Sequence, residues 1–256
     1  MAFKKSFKPR AKRVKRVSKP RTKNLVKLIQ KVIHKDVETK IQSVNQALTA
    51  YNSGINVGAD ATKLIPTIVQ GTDDGQRVGD TILGQHLNCR GHMILDLPGN
   101  NATTNCRIAV RMMVVQPKRY QNDSDCTTYY ANWMPYLLQN GANSQAFTGI
   151  IQDLYLPINT NAITKYYDKI TYLSVPINQV SSAIGIDTAD VRRTVKFFNI
   201  NVPCKKVLKY QDGNNTPINY SPMLIMGYVH LDGSAPDTVS AVVSMAYTTV
   251  IKYEDA

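Results

Sequence analysis

The chain has 256 residues, 43% hydrophobic and 8% aromatic, which allows a sizeable core and excludes wholesale disorder. Its formal charge of +13 is unevenly placed: residues 1–31 carry thirteen Lys/Arg and no Asp or Glu, while the remainder carries eighteen of each sign. A cationic field so concentrated suits a polyanion, either nucleic acid or an anionic membrane surface.

No stretch reaches the about 18–20 consecutive apolar residues needed to cross a bilayer, so membrane insertion is set aside, and no membrane is expected among the partners. The first 24 residues have neither the apolar segment nor the cleavage site of a secretory signal. They are acid-poor like a mitochondrial transit peptide, but nine of the thirteen basic residues are Lys and only two Ser accompany them, against the usual Arg/Ser bias. Cys89, Cys106, Cys126 and Cys204 lie far apart and form no C-x-x-C, so they read as reduced core residues of an intracellular protein.

In chain order, residues 1–24 (MAFKKSFKPRAKRVKRVSKPRTKN) cannot fold alone. Phe3, Phe7, Val14 and Val17 bury too little to offset ordering entropy, like charges repel, and Pro9 and Pro20 oppose a continuous helix. A flexible arm is expected. From Leu25, the residues Leu28, Ile29, Val32 and Ile33 repeat at helical spacing with Lys27, Lys31 and Lys35 opposite, which predicts a short amphipathic helix over 25–35. Such a helix either packs on the domain's edge or lies on nucleic acid. The arm is placed at 1–36 and one folded domain at 37–256.

Strand-like runs follow at Val37–Val44, Thr81–Leu95, Asn105–Gln116, Lys165–Val175, Val191–Val202, Cys204–Tyr210, Pro222–Leu231 and Val239–Tyr253. In the last, Val239, Ala241, Val243, Met245 and Tyr247 share one face, with Ser240, Ser244 and Thr248 on the other. In Asn105–Gln116, apolar residues alternate with Arg107 and Arg111. Met223–Val229 is apolar on both faces, as a central strand between two layers would be. Asp212-Gly213-Asn214-Asn215 and Asp232-Gly233 read as short links between antiparallel strands. Thr49–Gln76 and Gln116–Thr164 read as long irregular stretches of the kind that carry function or contacts. About eight strands with little helix predict an all-β fold, a single eight-stranded antiparallel jelly roll following a disordered, partly helical arm. The repeated amphipathic helices of a βαβ fold are missing.

The segment LIPTIVQGTDDGQRVGDTI, Leu64–Ile82, follows the arm, the junction Asp36-Val37-Glu38-Thr39-Lys40 and the first strand. Gly71, Gly75 and Gly79 read as turn-making positions, with Arg77 tying the loop to backbone carbonyls. Gly-x-x-x-Gly-x-x-x-Gly matches neither a Walker loop nor a dinucleotide fingerprint. The segment resembles an I-P-x-I-x-Q-G-T-x-x-G-x-R-x-G-x-x-I pattern in capsid proteins of circular, Rep-encoding single-stranded DNA viruses, the circovirus-like group. The order of arm, junction, motif and strands is similar throughout.

The resemblance implies a jelly-roll capsid protein that self-assembles into a small icosahedral (T=1) shell around single-stranded DNA. Its partners would be further copies of itself, genomic DNA, a host receptor and the nuclear import machinery. It would reside in the virion, and in the host nucleus during assembly. Some small RNA viruses build similar coats.

Within that reading Lys4, Lys5, Lys8, Arg10, Lys12, Arg13, Lys15, Arg16, Lys19, Arg21, Lys23, Lys27 and Lys31 neutralise phosphates without reading sequence. In a minimal shell of about 60 copies, such arms would offset several hundred phosphates. Lys12, Arg13, Lys15 and Arg16, in the run Lys12–Val17, also read as a nuclear localisation signal. His86, Asn88, Arg90 and His92 share a strand face. Together with Arg107 and Arg111, that face either lines a shell interior or forms a solvated or subunit-facing surface. Arg90 between the histidines discourages a metal cation. Asp73, Asp74 and Asp80 are oxygen donors of the kind Ca²⁺ takes, but without fixed ligand spacing they read as turn carboxylates. No metal, cofactor or catalytic constellation is expected: no Cys or Ser is paired with a His in a nucleophile context, and H-E-x-x-H is absent. Trp133, Tyr129, Tyr130, Pro135 and Tyr136 fit either a subunit contact or the packing of a long loop.

The rival reading is a cellular single-stranded nucleic-acid-binding protein with a basic tail, which would place cations and stacking aromatics in its folded domain. A third, an enzyme with a targeting tail, would need a converging polar pocket.

Overall fold

The computed structural model describes residues 38–55, 60–96, 106–175, 193–236 and 242–255. The chain divides into Met1–Glu38 and Thr39–Ala256. The first unit, with the arm and the expected helix over 25–35, lies almost wholly outside the described residues.

The second unit is all-β, built of antiparallel sheets with a few short helices, an arrangement compatible with a β-sandwich. Its strands are β1 (Thr39–Tyr51), β2 (Ala61–Lys63), β3 (Thr81–Asp96), β4 (Cys106–Pro117), β5 (Leu138–Asn140), β6 (Asn143–Gln145), β7 (Ile163–Val175), β8 (Arg193–Val202), β9 (Lys206–Lys209), β10 (Met223–His230) and β11 (Val243–Asp255). One sheet runs β1-β11-β3-β8, with β9 also pairing β3. The second runs β2-β10-β4-β7, and β5 and β6 pair alone. β8 lies along Leu87–Asp96 of β3 and β9 along Thr81–Gly84, so the two extend one line.

Alternation explains the core. Val243, Met245, Tyr247, Ile251 and Tyr253 of β11 are buried, as are Leu87, Cys89, Met93 and Leu95 of β3. They join Ile108, Val110, Met112 and Val114 of β4 and Leu224, Met226 and Tyr228 of β10 in one cluster contributed by both sheets. Each fully buried aliphatic side chain contributes about 1.5–3 kcal/mol.

In the second sheet, β10 and much of β4 carry buried apolar side chains on both sides. Met223, Ile225 and Val229 of β10, with Ala109, Met113 and Val115 of β4, meet Trp133, Met134, Leu137, Phe147 and Leu154 in a second cluster. The covering residues come from Gln116–Thr164, expected to be irregular. It holds helices at Asp123–Thr128 and Tyr130–Trp133, 3-10 turns at Met134–Tyr136 and Ile151–Leu154, and the β5–β6 pair. The doubly apolar β10 is therefore roofed by a layer that is mostly not sheet. At Gly227 a Cβ would stand 2.5 Å from a ring carbon of Phe147, so close packing of the roof requires glycine there.

The expected turns at Asp212–Asn215 and Asp232–Gly233 do bend, with Gly213 and Gly233 at φ 78° and 84°. They do not make hairpins. β9 and β11 belong to one sheet and β10 to the other, so both links cross between sheets.

Candidate nucleic-acid interface

Lys4 through Lys31, including the Lys12–Arg16 run, lie outside the described residues. The strand-borne candidates fall in different places.

β3 sends Leu87, Cys89 and Met93 into the core, so His86, Asn88, Arg90 and His92 take the opposite face of the first sheet. The register aligns Arg90 with Thr248 of β11 and Asn199 of β8, His86 with Lys252, and His92 with Ala246 and Phe197. Asn45 of β1 lies beyond Thr248 and accepts its hydroxyl hydrogen bond at 2.8 Å. Arg90, Lys252 and His86 are exposed, and neither Arg90 nor Lys252 forms an ion pair with a described residue. Phe197 is 78% exposed, with its ring centroid 6.0 Å from that of His92. The Asn88 amide donates to the side-chain oxygens of Asn199 and Asn201, both at 2.6 Å. Glu254, two residues beyond Lys252, brings a carboxylate to the end of this surface.

Neighbouring strands stand about 4.8 Å apart, and alternate residues about 6.7 Å. The face thus offers two spaced cations for phosphates, a ring for base stacking and fixed amides between them. Phe197 escaped notice in the sequence because it sits in the apolar run Val191–Val202. The signal for it was period-two alternation across the edge strand: Ile200 and Val202 are buried, which turns Phe197 outward.

Arg107 and Arg111 do not belong to this face. Both lie on β4, in the other sheet. Arg107 is exposed, whereas Arg111 is 3% exposed beneath the roof. Arg111 bonds Asp168 at two points, each 2.9 Å, and donates to the carbonyls of Asp153 at 2.5 Å and Leu156 at 2.8 Å. Those contacts leave it unable to serve an outside phosphate, which corrects the expectation that it lines a polar surface. Asp153, itself fully buried, accepts from Gln145 and from the backbone of Thr148, Gly149 and Ile150.

In the motif segment Arg77 is fully buried. It donates to the carbonyls of Gly79 at 2.6 Å and Asn214 at 2.9 Å, pairs with Asp80 and lies over the Tyr210 ring at 4.5 Å. Of Gly71, Gly75 and Gly79, only Gly75 has positive φ, at 79°. The loop docks on the first sheet: Tyr253 Oη donates to the Gly75 carbonyl, Lys40 Nζ to the Gln76 carbonyl, and the Val78 amide to Asp255.

Trp133 and Tyr130 are buried in the roof, while Tyr129 and Tyr136 are exposed at 44% and 53%. Cys89, Cys126 and Cys204 are buried free thiols. Burial pushes Cys89 and Cys204 up to about 11 and Cys126 up to about 12. Among the described residues no three His, Cys, Asp or Glu side chains gather as metal ligands, and no helix is long and apolar enough to cross a membrane. No protein-family model matches the chain, and no curated protein is significantly similar to it.

Proposed function

We propose that this chain is the coat protein of a small icosahedral virus, many copies closing into a shell whose arms condense single-stranded DNA inside. The observation that carries this reading is the segregation of charge, with thirteen basic residues and no acid in 1–31 ahead of a balanced remainder. A strongly cationic N-terminal segment suits release of counterions from a polyanion, and a charge-balanced β body suits self-association, where closed symmetry multiplies weak contacts.

The pairing pattern supports the finer reading of a jelly roll. Setting aside the small β5–β6 pair and taking β8 with β9 as one line leaves eight strands. The first pairs the last, β2 pairs β10, β3 pairs the β8–β9 line and β4 pairs β7. That is the pattern of one long hairpin rolled up on itself. The face carrying Arg90, Lys252 and Phe197 is assigned to the cargo side. Exposed apolar side chains elsewhere, Tyr155 at 76%, Tyr136 at 53% and Ile150 at 41%, support subunit contacts on the roof.

Removing residues 1–24 tests the reading. The truncated chain should keep its β-sheet spectrum and lose at least about 100-fold in affinity for single-stranded DNA at physiological salt, since eleven of the phosphate-neutralising residues go with it. Undiminished binding would refute the role of the arm.

One observation favours a second reading. Phe197 beside Arg90 supplies in the folded body what a single-stranded nucleic-acid-binding module needs. Under that reading the protein stays small and soluble, and the truncated chain keeps most of its binding.

A further inference from the structure

At the edge where β4, β7 and β9 end or begin, an open pocket of about 430 Å³ has Gln116, Lys118, Thr164, Tyr166, Lys206 and Asn219 in its walls. Two of its lining residues are lysines and none is acidic. The Lys206 ammonium lies 3.8 Å from the centroid of the Tyr220 ring and forms no ion pair with a described residue. Burial lowers its pKa below the ordinary lysine value, with nearby Cys204 opposing the shift. A half-buried cation held over a ring, with no counterion among the described residues, gains most from an anion that enters beside it.

The other walls are set for an acceptor ligand. Tyr166 Oη donates to Gln116 Oε1 at 3.0 Å, which commits that oxygen and leaves the Gln116 amide nitrogen as its remaining polar group. Lys118 Nζ donates to the Thr160 carbonyl at 2.6 Å and retains two further protons. Thr164 adds a hydroxyl. Asn219 is spent on the wall itself, accepting from the Lys209 amide and donating to the Val207 carbonyl.

We infer that this pocket is a phosphate-class oxyanion site, with Lys206 and Lys118 as its cations and the Gln116 amide and Thr164 hydroxyl as donors. The oxyanion is either free phosphate or one phosphodiester of a nucleic-acid backbone. The residues of this site all belong to the folded body and differ from those of the Arg90 face, and the inference stands whether or not the protein builds a shell.

Labelling of the full chain by pyridoxal phosphate tests it, because that probe carries both a phosphate for the site and an aldehyde for an amine. The Lys206 amine and the aldehyde form an imine with loss of water, borohydride reduces the imine, and peptide mass analysis reads each lysine separately. Lys206 should be labelled about 3- to 10-fold faster than Lys196, an exposed lysine on β8. Lys118→Gln should reduce that advantage about 3-fold.

Inorganic phosphate, compared with chloride at equal ionic strength, should protect Lys206 and not Lys196 if the site takes the free ion. Selective protection by oligothymidylate alone assigns a phosphodiester instead. Labelling of Lys206 no faster than Lys196, or the absence of selective protection of Lys206 by either probe, would overturn the inference.

Discussion

Arg111 holds Asp168 through two parallel contacts of 2.9 Å across the β4–β7 pair, and its remaining nitrogen grips the roof through the carbonyls of Asp153 and Leu156. One side chain thus joins two strands and the segment that covers them. Arg111→Met should cost about 3 kcal/mol, because it leaves a carboxylate and two carbonyls partly buried without their donor. Asp168 is 19% exposed, so Asp168→Asn should cost less. Urea denaturation of both variants and of the double change checks this. The double variant should lose less than the sum of the two single losses.

Arg77→Lys keeps the charge at the motif loop but not the fork that reaches Gly79 and Asn214 together. It should cost about 2–3 kcal/mol in denaturant midpoint measurements, and limited proteolysis should find new cleavage between residues 70 and 80. A neutral result would mean that the loop is held by Lys40, Tyr253 and Asp255 alone.

Strand positions were largely legible because period-two alternation registers directly in side-chain type. Thr81–Leu95 and Pro222–Leu231 foreshadow β3 and β10 to within a residue or two. The roof was not legible. Trp133, Phe147 and Leu154 are spaced irregularly among Asn, Gly and Tyr, and their common neighbour is a sheet face distant in sequence. Arg111 was misread for the same reason: a charge on the non-core side of a strand looks solvated until something covers it. β2, β5 and β6, at three residues each, are too short for any alternation to register. Sheet membership, which separates Arg90 from Arg111, depends on long-range pairing that local pattern does not carry.

Alkali should weaken the folded state in a defined window. The folded pKa values of Cys89 and Cys204 are raised to about 11, and those of Cys126 and Tyr166 to about 12, chiefly by burial. Their neutral forms are favoured in the fold. That stabilisation is fully present below about pH 9 and is lost as pH rises through 9 to 12. Denaturant midpoints measured from pH 7 to 11 should be flat to about pH 9 and then fall. At pH 8 the three thiols should react with an aromatic disulfide reagent only as the protein unfolds.

The face of the first sheet makes a separable prediction. Arg90→Ala with Lys252→Ala should leave stability within about 0.5 kcal/mol, since both side chains are exposed. Single-stranded DNA affinity should fall, and the slope of log K against log salt should flatten by about 1.4, two phosphate contacts at about 0.7 each. Phe197→Ser should weaken binding by about 1–3 kcal/mol with no change in that slope, because stacking releases no counterion. Titrations at several salt concentrations separate the two effects.

Electron microscopy of the purified full-length protein, concentrated with and without single-stranded DNA and treated with nuclease, bears most directly on the central claim. A coat protein yields uniform closed shells whose DNA survives the nuclease. A protein that remains monomeric at high concentration, with or without the polyanion, contradicts the account.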